Sequence, residues 1–204
     1  MQALPEKIGL FGGSFDPVHN AHLALARQAL HDVELDELCW VPTGLAWQKA
    51  RAMTPAAHRL AMLQLAVGDA PRQRIEACEL QRSGPSYTLD TVRELQQRRP
   101  NARWFLVIGQ DQFAGLHTWH GVDELLQRVT LAVAVRPGHD IAGEARVRAA
   151  PRVELQMSAM ALSSTYIRAR AAKGQDIATL VPPAVAQYIH DHRLYLTPVE
   201  STPN

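Results

Sequence analysis

Residues 8–22 read Ile8-Gly9-Leu10-Phe11-Gly12-Gly13-Ser14-Phe15-Asp16-Pro17-Val18-His19-Asn20-Ala21-His22. The apolar run from Ile8 to Phe11 ahead of Gly12-Gly13 predicts a buried strand closed by a tight glycine turn. From Ala21 onward, Leu23, Ala26, Leu30 and Val33 recur at three- and four-residue spacing, the pattern of one face of an amphipathic helix. Strand, glycine turn and helix in that order open an α/β sheet, and open sheets of this kind place their ligand sites at such strand ends.

Working outward, the alternation continues. Strands are expected near Leu38–Pro42 and Arg74–Ala77, and helices at about Pro55–Val67, with Leu60, Leu63 and Val67 inward, and Leu89–Arg99. Phe105–Ile108 and Val129–Val135 are continuous apolar runs with β-branched residues, which favour buried parallel strands. After Gly143 the composition changes. Val153–Met157 reads as a further strand, followed by helical stretches at about Ser164–Lys173 and Pro183–His192, with Pro183 suited to a first helical position. The expectation is an α/β fold on a doubly wound parallel sheet, one domain over 1–204 with a small C-terminal helical extension at about 160–196 and a frayed tail from Thr197 to Asn204.

Composition narrows the function classes. With 47% hydrophobic, 20% charged and 6% aromatic residues among 204, the chain is neither disordered nor collagen-like. At this length folding buries roughly 70% of the surface, so the core needs no disulfide or structural metal. Twenty-one basic against 20 acidic residues leave a net charge of +1, which predicts no general attraction to nucleic acid or membrane. Any anion must be met by a local site. Cys39 and Cys78 form neither a disulfide framework nor a Cys-x-x-Cys metal site, and read as two buried reduced thiols. Met1 to Lys7 is mixed and polar and no apolar run approaches roughly 18 residues, so a cytoplasmic location is expected.

Glycines before a helix let backbone N–H groups approach a phosphate, and the positive end of the helix dipole favours the same anion. His19 and His22, three apart, would share a face of the first turn and could donate to one polyphosphate; the alternative is a structural or solvated pair. Zinc lacks the His-Glu-x-x-His spacing and a third ligand, so no protein metal site is expected, and both the Walker signature and Gly-x-Gly-x-x-Gly are missing. Ser164 and Thr165 stand where a helix should begin, either as caps or as hydroxyls for phosphates, and Arg168 one turn on is either a planar cationic fork or a surface arginine. By pattern alone Asp111 is a capping carboxylate, Trp119 is core and Thr88 is a helix N-cap. His190-Asp191-His192 lacks the further ligands of a metal phosphohydrolase and reads as a polar helix end.

Four segments in order resemble one family. Gly12 to His22 is similar to Gly-Gly-Ser-Phe-Asp-Pro-Val-His-x-Gly-His, and Ser86-Tyr87-Thr88-Leu89-Asp90-Thr91 to Ser-Tyr-Thr-x-Asp-Thr. Gly109-Gln110-Asp111 with Leu116 and Trp119 resembles Gly-x-Asp…Leu…Trp, and Ser163-Ser164-Thr165-Tyr166-Ile167-Arg168 resembles Ser-Ser-Thr-x-Ile-Arg, followed by Leu180-Val181-Pro182 and Tyr188-Ile189. These are the motifs of the bacterial nicotinate-nucleotide adenylyltransferases of the nucleotidyltransferase superfamily.

The resemblance implies a Rossmann-like fold and transfer of AMP from ATP to nicotinate mononucleotide, giving deamido-NAD and pyrophosphate by direct in-line attack, with Mg²⁺ accompanying ATP. It implies that His19, His22 and Arg168 act on the reacting phosphates. Gly12, Gly13, Ser14, Phe15, Lys49, Gly109, Asp111, Ser163, Ser164 and Thr165 would bind ATP, with Asp111 on a ribose and Lys49 on phosphate from a mobile loop. Trp119 would stack on the nicotinate ring, with Thr88 and His120 completing that pocket. No partner protein is implied. Two departures stand out: Ala21 replaces the family's glycine, and Ala46-Trp47-Gln48-Lys49 replaces Pro-Pro-His-Lys. Two other readings are another superfamily transferase, acting on phosphopantetheine or a polyol phosphate, and a nucleotide-binding regulator without catalysis, which Ala21 invites.

Overall fold

The computed structural model describes residues 4–44, 53–135, 143–157 and 162–196. Six strands, β1 (Lys7–Gly13), β2 (Glu37–Pro42), β3 (Gln73–Ile75), β4 (Arg103–Ile108), β5 (Thr130–Val135) and β6 (Arg152–Gln156), form one sheet in the order β3-β2-β1-β4-β5-β6. Every neighbouring pair is parallel. The helices are α1 (Asn20–Asp32), α2 (Ala56–Val67), α3 (Cys78–Gln81), α4 (Thr88–Arg98), α5 (Gln110–Gly115), α6 (Val122–Arg128), α7 (Ala145–Arg148), α8 (Ser164–Ala172) and α9 (Pro183–Asp191), with a 3₁₀ turn at Leu116–Thr118. This is the expected Rossmann-like α/β architecture.

Strand periodicity sorts the core into two halves, because successive side chains leave opposite faces of a sheet. Phe11, Leu38, Trp40, Phe105, Val107, Ala132 and Leu155 face one side, where they meet α1, α2, α8 and α9. Ile8, Leu10, Cys39, Val41, Leu106, Ile108, Leu131 and Val133 face the other, against Leu89 and Val92 of α4, Phe113 of α5, Leu125 of α6 and Val147 of α7. A fully buried side chain such as Leu106 contributes about 2 kcal/mol by leaving water. The C-terminal helices thus cover the same face as α1. They are tied to its start, where Asn20 N and Asn20 Nδ2 donate to the carbonyls of Leu180 and Thr179 at 3.0 Å each.

Three expectations are corrected. Gly12 and Gly13 do not form the turn: β1 runs through them, in register with Val41 and Pro42, and the chain reverses only at Ser14–Pro17. Phe15 there takes a left-handed φ of 46°. The inward faces of α1 and α2 keep the expected Ala26, Leu30, Val33, Leu63 and Val67 but are wider than expected: Leu25, Ala29, Arg59 and Met62 are buried as well, while Leu23 and Leu60 are only partly buried. Arg59 takes a core position because its guanidinium finds carbonyls there: Nη1 donates to Ser14 O and Nε to Thr54 O, each at 2.9 Å. Finally, short α3, α5, α6 and α7 appear where no helix was expected. Both cysteines are buried and unpaired, and burial pushes the Cys39 thiol up to about 12 and Cys78 to about 11. Among the described residues no helix is long and apolar enough to cross a membrane.

Candidate active site

The strand order reverses between β1 and β4, and at their carboxyl ends a cleft of about 810 Å³ opens. Leu10–Ser14 and Leu106–Gln110 form its floor. Its walls come from the starts of α1, α4 and α8 and from the α5 segment through His120. Gly12 leaves the floor bare: a Cβ built there would meet only Leu10 Cδ2, at 4.0 Å. Gly13 is constrained by its neighbour instead, since a Cβ there would lie 2.9 Å from the Phe15 ring.

His19 is the N-cap of α1, in extended conformation, and His22 is three residues on, so their rings stack with centroids 3.6 Å apart at 23°. The His19 N–H donates to His22 Nδ1 at 3.2 Å, which places the proton of a neutral His22 on Nε2. Phe15, expected among the ATP-binding residues, does not line the cleft. Its ring is buried and meets His22 edge-on at 5.2 Å, a prop beneath the imidazole. His19 is only 5% exposed, and burial lowers its imidazole to about 4, so it is neutral at pH 7. Among the described residues its buried Nδ1 has no hydrogen-bond partner. The pair therefore offers polar ring nitrogens to an anion without two stacked positive charges, which would repel each other.

The start of α8 also lines the cleft, bonded to the loop that leads into His19. Ser163, not Ser164 or Thr165, is the cap: its Oγ accepts the Tyr166 N–H at 3.1 Å. Ser164 Oγ donates to Pro17 O at 3.0 Å, and Arg168 Nη1 donates to Asp16 O at 2.8 Å, so both hold the loop between β1 and α1. Arg168 Nη2 donates to Thr165 Oγ1 at 3.0 Å. Arg168 is no surface arginine, and among the described residues it is the one Lys or Arg lining the cleft. Its planar fork suits phosphate oxygens.

The far end is aromatic and weakly polar. Trp119 follows the 3₁₀ turn, its N–H on Leu116 O at 3.0 Å, and is half-buried against the core while still lining the cleft. Thr88 opens α4 but does not cap it; Tyr87 holds the cap position, and its ring stacks on His120 at 4.3 Å. Asp111 is exposed in the first turn of α5, whose cap is Gly109. The sequence reading missed Glu79, a cleft-lining carboxyl pushed up by burial, which accepts from Thr91 Oγ1 at 2.7 Å. An acid on a four-residue helix shows no periodicity that could reveal it.

The chain is similar to known proteins over almost its whole length. A family model described as cytidylyltransferase-like matches residues 10–170. A probable nicotinate-nucleotide adenylyltransferase from Methylibium petroleiphilum is 48% identical over 210 residues, spanning 100% of this chain and 99% of its own. The chain belongs to the nicotinate-nucleotide adenylyltransferase family. A second family member, from Albidiferax ferrireducens, is 46% identical over 94% of this chain and 99% of its own. Among solved structures, Plasmodium falciparum nicotinic acid mononucleotide adenylyltransferase complexed with NaAD shares the fold, with a TM-score of 0.80 at 19% identity over 93% of this chain and 97% of that one.

Of the residues expected to form the site, Gly12, Gly13, Ser14, His19, His22, Thr88, Gly109, Asp111, Trp119, His120, Ser163, Ser164, Thr165 and Arg168 all line the one cleft. Ala21, the family's glycine position, lines it too. Lys49 and the divergent Ala46-Trp47-Gln48 lie outside the described residues, as does the tail from Thr197.

Proposed function

We propose that this chain transfers AMP from ATP to nicotinate mononucleotide, releasing pyrophosphate and forming deamido-NAD, as a cytoplasmic step of NAD biosynthesis. The observation that carries the reading is the convergence of motif residues as distant as Gly12, Trp119 and Arg168 on a single cleft at the switch point of the sheet.

In this reading the mononucleotide phosphate attacks the α-phosphorus in line and pyrophosphate leaves, so the protein's work is placement and charge stabilisation. His22 donates from Nε2 to a phosphate oxygen, His19 supplies a second ring nitrogen, and Arg168 meets the phosphates from the α8 side. Trp119 offers its face to the pyridine ring, with Thr88 and His120 beside it. The bare floor at Gly12 admits the nucleotide close to the β1 backbone. Mg²⁺ enters as the ion carried by ATP. Among the described residues no group of three or more His, Cys, Asp and Glu stands together as a metal cage. A cleft wall of ring nitrogens and a guanidinium would leave such an ion to be held by ATP rather than by this chain. When bound, the ion neutralises charge on those oxygens.

The test is pyrophosphate release with ATP and Mg²⁺, comparing nicotinate mononucleotide with nicotinamide mononucleotide at equal concentration and identifying the dinucleotide. Strong preference for the acid is expected. The match to a cytidylyltransferase-like model keeps one rival in view, a superfamily transferase acting on phosphopantetheine or a polyol phosphate. Turnover confined to those acceptors, or to CTP, would replace the proposal with that rival. Tight ATP binding without turnover on any acceptor would point to a regulator.

A further inference from the structure

Behind the cleft lies a cluster that no family motif covers in full. Asp16 is fully buried, and a buried carboxylate costs several kcal/mol unless it is paired and hydrogen-bonded. Its partners come from distant parts of the chain. Tyr195, beyond α9, donates its hydroxyl to Asp16 Oδ1 at 2.8 Å, and the Thr54 N–H donates to Oδ2 at 3.3 Å. The buried Arg59 holds the same group of segments through the Ser14 and Thr54 carbonyls. On its other side, the Asp16 carbonyl accepts from Arg168 at 2.8 Å. One residue therefore stands between the C-terminal segment and the cleft arginine.

Two features separate Tyr195 from an ordinary aromatic plug. Its backbone φ is 67°, a left-handed conformation rare for a bulky residue, and Arg193 two residues earlier has φ 48°. The chain turns back unfavourably to bring this ring to Asp16. Burial and the neighbouring Asp16 also hold the Tyr195 hydroxyl well above the usual phenol range, so it remains a donor throughout the working pH range.

We infer that Tyr195 is a positioning residue for the transfer reaction: by holding the Asp16 carboxylate, its hydroxyl sets the carbonyl from which Arg168 is hung. The inference rests on the function proposed above. It concerns kcat rather than binding of the pyridine nucleotide, because Trp119, Thr88 and His120 belong to other elements of the cleft.

The experiment is steady-state kinetics of Tyr195→Phe, which removes the hydroxyl and keeps the ring. An expected kcat loss of about 10-fold or more follows from sub-ångström misplacement of a reacting group. KM for nicotinate mononucleotide should stay within about twofold. In an Arg168→Ala background the same substitution should cost little more, since it acts through that arginine. Tyr188→Phe is the control: its hydroxyl meets His58 Nδ1 at 3.0 Å between α2 and α9, and its loss should leave kcat within about twofold. Unchanged kcat in Tyr195→Phe, equal losses in both backgrounds, or a variant that melts below the assay temperature would each overturn the inference, the last by making the hydroxyl a structural anchor. An inactive wild-type protein would overturn the proposed function and this inference together; an active wild type with a normal Tyr195→Phe variant would overturn only the latter.

Discussion

At the residue scale, the site shows how one side chain can hold different states according to its neighbours. His19 and His22 differ in burial and in hydrogen bonding, and only His22 has a tautomer set by a backbone donor. Removing that donor to phosphate, His22→Ala should lower kcat by roughly 100-fold or more while the fold persists, because the ring lines the cleft and is not part of the main core. Kinetics alongside a thermal melt checks this; near-wild-type turnover contradicts the role. The histidine pair was legible from its three-residue spacing. Its ionisation was not, because the burial that lowers the His19 pKa arises only once the chain is folded. Nor did Asp16, Arg59 or Tyr195 stand out, since a polar side chain in the core is recognised only when its distant partners are seen.

At the scale of elements, the strands and the long helices were readable and the short helices were not. All six strands and the helices α1, α2, α4, α8 and α9 fall where the sequence reading puts them, within about two residues at their ends. Helices of four to seven residues, such as α3, α5 and α6, contain one or two turns and carry no repeat to detect. The start of α8 shows the limit of cap reading: three hydroxyl residues stand in a row, and only geometry picks Ser163. Ser163→Ala should therefore cost about 1 kcal/mol, lowering Tm by about 2–4 °C for a chain of this size. It should also raise KM for ATP, because Ser164 and Arg168 ride on the same helix. Calorimetry and kinetics together test this, and an unchanged Tm would remove the cap from the account.

At the scale of the whole molecule, the doubly wound parallel class followed from repeated βα units, whereas the strand order, and with it the cleft between β1 and β4, needed the structure. The fold also makes stability depend on pH through His19. Its native pKa of about 4 lies below the ordinary 6.5, so between those values the unfolded chain binds more protons and stability falls as pH falls. Urea unfolding at pH 7 and pH 5 should show about 2 kcal/mol more loss in wild type than in His19→Asn, the difference cancelling the contributions of other groups. Equal losses would mean that the ring is not held neutral. One last consequence concerns inhibitors. The space above Gly12 is open because a side chain is missing, not because one points away. A compound occupying that space would meet a target with a narrow route to resistance, for any substitution that fills the gap to exclude the drug would exclude the nucleotide as well.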